Sequence, residues 1–107
     1  MKIVDMKDLK EVSSPGERGQ VTIIDCINEK DIVLGVREIG PNSIAPKRPH
    51  HHPLRQVMFV IEGTGSVTNG IERYRFKPGD FIIIDTNEEH YFESEGDRVK
   101  MIEVRFP

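Results

Sequence analysis

No stretch of this chain keeps a helical period. Turn signals instead cut it into short runs rich in β-branched and aromatic residues, which restricts it to an all-β architecture. Residues 20–27 (QVTIIDCI) read as a strand, 28–31 as a four-residue hairpin loop, and 32–39 (IVLGVREI) as the returning strand. Residues 57–61 form another strand. Asn69-Gly70 is the strongest hairpin signal, with residues 71–76 as the partner strand. Lys77-Pro78-Gly79-Asp80 reads as a β-turn, followed by an apolar strand at 81–84. A polar loop at 85–89 leads to a strand opening with His90, Tyr91 and Phe92, and residues 99–106 close the chain. Before these, Ile3-Val4 suggests a short strand, 8–11 a helical turn and 13–16 a loop. The expectation is a barrel or sandwich with under about one tenth helix.

Within this frame, His50 and His52 are two residues apart, so on an extended chain they share a side. Gln56 has the same parity, whereas His51 points the other way and is expected outside any cluster. Pro46, Pro49 and Pro53 make the surrounding segment an edge strand or an irregular one. The remaining histidine is His90. If its strand packs against the first, three imidazoles and an amide oxygen meet at one point, a set that suits zinc, copper, iron or nickel. Met58 and Val60 share the parity of Gln56, and Phe92 that of His90. These would line a cavity or pack in the core.

Other polar positions are weaker candidates. Glu38, Glu103 and Arg105 could anchor substrate or move protons, but each is expected on a solvated strand face. In residues 99–106 the apolar set Ile102, Val104 and Phe106 is the natural inward face, which turns Met101, Glu103 and Arg105 outward. In residues 32–39, Ile32, Leu34, Val36 and Glu38 share a face. Cys26 is expected as a small core residue.

Composition sets the limits. With 107 residues the chain is expected to form one domain over 1–107. A 36% hydrophobic content supports a small core that would gain from a dimer interface. The net charge of −3 carries no concentrated basic patch, which argues against nucleic acid. One cysteine excludes an intrachain disulfide and fits a reducing compartment. The N-terminal MKIVDMKDLKEV is too charged for a signal peptide, and no apolar run is long enough to span a bilayer. The expected location is the cytoplasm, with no membrane contact.

Two spaced motifs then carry a resemblance. His50-x-His52, three residues, Gln56, six residues, Gly63 follows the first motif of the cupin superfamily, with Gln in place of the usual Glu. Gly79, five residues, Asp85-Thr86-Asn87, two residues, His90, three residues, Ser94 keeps the spacing of the second. There the usual Pro, second Gly and final Asn are absent. The chain resembles the small single-domain cupins over roughly residues 32–105. The resemblance implies a double-stranded β-helix, or jelly-roll barrel. It also implies a divalent metal (Fe, Mn, Ni or Zn) held by His50, His52 and His90, with Gln56 at the position of the family's Glu. A homodimer and a small-molecule ligand are implied as well.

Three functions fit that picture. One is a metal-dependent enzyme on a small oxygen-rich molecule, isomerising or opening a uronate-type sugar with the metal as Lewis acid. This set of ligands resembles that of the small cupins acting on unsaturated uronates. The second is a cupin dioxygenase, and the third a non-catalytic domain that binds a small ligand.

Overall fold

A computed structural model describes residues 1–107. Its strands are β1 (Glu11–Pro15), β2 (Gln20–Glu29), β3 (Ile32–Ile39), β4 (Ile44–Ala45) and β5 (Arg55–Glu62). They continue with β6 (Gly65–Thr68), β7 (Arg73–Phe76), β8 (Phe81–Ile84), β9 (Tyr91–Ser94) and β10 (Val99–Phe106). Turn chemistry sets several of these limits. At the β6–β7 hairpin, the Asn69 side-chain oxygen accepts from the backbone N–H groups of Ile71 (2.9 Å) and Glu72 (2.8 Å). Gly70 beside it has φ +94°, a left-handed conformation that favours glycine.

All strand pairs are antiparallel and fall into two sheets. The larger has the order β1-β2-β3-β10-β5-β8 and the smaller β4-β9-β6-β7. Together they form the expected jelly-roll barrel. Met58, Val60, Phe76, Phe92, Val99 and Met101 fill its interior. Ser94, where the second motif usually ends in Asn, closes one corner. Its hydroxyl accepts from the Ser43 backbone N–H (2.8 Å) and donates to the Gly40 carbonyl (2.6 Å).

The inward face of β10 reverses the expectation. Met101 and Glu103 are buried, whereas Ile102 is 38% exposed on the outside. Apolarity misled here because the outer face of the large sheet is itself apolar. Phe59 and Phe81 stack there at 4.8 Å, and Ile83 is exposed nearby. On β3 the buried side chains are Val33, Arg37 and Ile39, so Ile32, Leu34, Val36 and Glu38 do share a face, but the outer one. Glu38 pairs there with Arg98 (3.1 Å), away from the histidines.

Smaller expectations also change. Residues 11–15 pair with β2 as a strand, although 13–16 read as a loop. The β2–β3 loop contains only Lys30-Asp31, because Glu29 and Ile32 still pair. The helical turn is a 3-10 turn at Met6–Asp8, earlier than expected, and Ile3-Val4 forms no strand. Cys26 is exposed, not in the core. It shares the parity of Ile24 and lies with Ile24, Leu34 and Val36 on the outer face, where the β2 register shifts.

The reversed face of β10 predicts unequal costs for adjacent truncations. Met101→Ala should lose about 2–5 kcal/mol in chemical denaturation, the usual cost of emptying a core methionine site. Ile102→Ala should cost under about 1.5 kcal/mol. Equal losses would contradict the assignment.

Candidate metal centre

The three histidines come from two segments that the backbone joins directly. His90 N–H donates to the His50 carbonyl (3.0 Å), and Asn87 N–H donates to the His52 carbonyl (2.7 Å). Prolines keep residues 46–53 out of the regular ladder, and no strand forms between Ala45 and Arg55. The two hydrogen bonds therefore hold this irregular segment against the turn before β9. Asn87, in that turn, has φ 57°, in the left-handed region that asparagine tolerates.

This stitching brings one ligand atom from each of His50, His52 and His90 within 4.8 Å of one another. Ring centroids lie 4.4 Å apart for His50–His52, 4.8 Å for His50–His90 and 5.8 Å for His52–His90. His51 is exposed, as its parity requires. Gln56, on β5, is buried and lines the same cavity as His50 and His90. Met58 and Phe92 also line it, whereas Val60 packs in the core.

Hydrogen bonding fixes how these groups face. His90 Nδ1 is 2.9 Å from the Glu88 carbonyl, which only accepts, so Nδ1 carries the proton. That leaves the Nε2 lone pair free. It is buried without a partner, as is His52 Nε2. Gln56 Nε2 donates to the Glu103 carboxylate at 2.6 Å, and Gln56 Oε1 is likewise buried and unpartnered. Buried polar atoms are rarely left unsatisfied. Three orphaned polar atoms on neighbouring residues, and the neutral imidazoles among them, are a donor set that fits a divalent ion.

Behind Gln56 lies a chain of charge that the sequence reading did not identify. The Glu103 carboxylate meets Arg37 Nη2 (2.7 Å) and Arg105 Nε (3.0 Å). Arg37 in turn reaches Asp25 (2.8 Å). Glu103 pairs in register with Gly35 on β3, which offers no side chain. A Cβ at Gly35 would meet the Ile24 carbonyl and the Asp25 carboxylate, so glycine leaves these charged groups their space. One signal was available in the sequence. A buried Gln56 needs a partner for its amide nitrogen, and on an all-apolar β10 face it would have none.

Burial also governs protonation. It pushes the His52 imidazole down to about 3 and that of His50 to about 4, and nearby cationic groups, Arg105 among them, add to both effects. His90 is lowered as well, mainly by burial, against an opposing contribution from the Glu88 carbonyl. The His50 and His52 rings are therefore neutral, as ligands must be, well below neutral pH, and burial shifts His90 in the same direction.

The cupin domain family model matches residues 35–105. The acireductone dioxygenase of Exiguobacterium sibiricum is 29% identical over 100 residues, covering 89% of this chain and 54% of that protein. That of Bacillus subtilis (strain 168) is 39% identical over 64 residues, covering 55% and 35% respectively. The chain thus spans about half or less of the length of these relatives. The polyketide cyclase RemF from Streptomyces resistomycificus superposes with a TM-score of 0.79 at 26% identity, covering 99% of this chain and 79% of that one. A predicted oxalate decarboxylase from Thermotoga maritima superposes at 0.81 with 16% identity over 98% of each chain, a likeness of fold alone.

The lowered imidazoles fix the sign of a pH effect. Between an unfolded value near 6.5 and folded values of about 4 and 3, the unfolded chain binds more protons. Stability from this source is therefore lost as pH falls through that window. In denaturant titrations of metal-free protein, the stability of the parent relative to His52→Ala should fall between about pH 7.5 and about pH 5. A constant or rising difference would show that His52 is not held neutral.

Proposed function

The chain belongs to the cupin domain family, and from that premise we propose that it binds a divalent metal and acts on a small oxygen-rich molecule. The proposed ligands are His50, His52, His90 and Gln56. The observation that carries this reading is the group of buried, unpartnered polar atoms His52 Nε2, His90 Nε2 and Gln56 Oε1. The family match over residues 35–105 supports it.

When bound, the metal would supply Lewis-acid polarisation of a substrate oxygen. The chain's own residues do the rest. Gln56 contributes a neutral oxygen, so the donors bring no negative charge of their own to the centre. Met58, Phe92 and Met101 give the cavity an apolar wall that limits water around a bound molecule. Arg105 also lines the cavity and uses its Nε on Glu103, while neither of its terminal nitrogens has a protein partner. Those nitrogens are placed to hold an anionic or hydroxyl-rich substrate group.

Within this class, isomerisation or ring opening of a uronate-type sugar is the first reading. A dioxygenase is the second, favoured by the two relatives named acireductone dioxygenase. Metal-loaded protein should remove the ultraviolet absorbance of an unsaturated uronate without consuming oxygen. Oxygen uptake with an enediol substrate would favour the second reading, and neither reaction would favour a ligand-binding role. The homodimer is part of the same proposal. Sedimentation should give a dimer mass, and a monomer mass would refute it.

Metal content separates the ligands from their neighbours. A His52→Ala, His90→Ala variant should lose stoichiometric metal after dialysis, whereas His51→Ala should keep it. Retention by the double variant would overturn the ligand assignment.

A further inference from the structure

Glu103 is 2% exposed, yet its carboxylate pairs with Arg37 and Arg105 and lies one hydrogen bond behind Gln56. Its Oε1 accepts from Gln56 Nε2 at 2.6 Å, and its Oε2 lies 2.7 Å from Arg37 and 3.0 Å from Arg105. A carboxylate only accepts, so the Gln56 amide cannot turn over without facing its oxygen to the Glu103 oxygen. The carboxylate thereby holds Gln56 Oε1 on the side of the amide away from Glu103, on a residue that lines the same cavity as His50 and His90. A buried ion pair alone is weak evidence of stabilisation. The contact to Gln56 is what links this one to the site.

Resting on the metal reading above, we propose that Glu103 is the positioning residue of the centre and holds, one bond further out, the negative charge that the donor set lacks. The amide passes on only part of that charge, through a hydrogen bond that strengthens its oxygen as a donor. Three imidazoles and a neutral oxygen favour nickel or zinc, whereas a directly bound carboxylate suits manganese. The arrangement therefore biases the site toward nickel over manganese. Exchanging the two residues keeps the amide–carboxylate hydrogen bond and the total charge but moves the charge to the metal position.

Four proteins test this: the parent, Glu103→Gln, Gln56→Glu, and the exchange variant Gln56→Glu, Glu103→Gln. Nickel(II) and manganese(II) affinities are measured by competition with a chelator, and metal-free melting temperatures are recorded alongside. Glu103→Gln should weaken nickel binding by about tenfold, the usual effect of losing an outer hydrogen-bond partner. The exchange variant should lower the preference for nickel over manganese by at least about tenfold. Without metal it should melt below the parent, because the carboxylate leaves Arg37 and Arg105, and above Gln56→Glu, which sets two carboxylates face to face. The exchange variant keeps the measurement informative if a single variant fails to fold. Parent-like nickel binding by Glu103→Gln, or an unchanged metal preference in the exchange variant, would overturn the role of Glu103 while leaving the metal site standing. Binding of neither ion by the parent would overturn both.

Discussion

A carboxylate sealed inside a barrel must be surrounded by donors or the fold will not tolerate it. Glu103 meets that condition through Gln56, Arg37 and Arg105, which stand on three neighbouring positions of the large sheet. β10 lies between β3 and β5, so the strands on either side supply one partner each. The inward placement of Glu103 in turn orients the amide of Gln56, which lines the same cavity as His50 and His90. The charge network and the candidate centre are therefore one structure.

The histidines show a complementary constraint. They are taken out of water, and burial shifts each toward its neutral form, outweighing the opposing pull of Glu103 and Glu88 on His90. Two backbone hydrogen bonds between residues 50–52 and 87–90 keep them together. A neutral cluster is a ready ligand set for a cation, whereas three imidazolium ions at these spacings would repel one another.

Much of this was legible in the sequence, for physical reasons. Extended-chain alternation placed His50 and His52 on one side and His51 on the other, the Asn-Gly turn marked the β6–β7 hairpin, and the Pro-Gly-Asp turn marked the passage from β7 in the small sheet to β8 in the large one. The failures have physical causes too. β10 is apolar on its outer face, so hydrophobicity pointed Ile102 inward when Met101 and Glu103 are the buried residues. The Arg37–Asp25 contact spans β2 and β3 beside a bulge, and single-strand alternation does not anticipate a register shift. Cys26 is at the surface because it shares the outer-face parity of Ile24. β1 was missed because Ser13-Ser14-Pro15 looks like a loop, while pairing with β2 outweighed that local preference.

The most direct test of the central claim is a crystal structure of nickel-loaded protein with anomalous scattering recorded at the metal edge. The account predicts one strong anomalous peak bonded to His50, His52 and His90, with Gln56 Oε1 facing it and Gln56 Nε2 still on Glu103. A peak elsewhere, no peak at all, or Gln56 turned away from the histidines would contradict it.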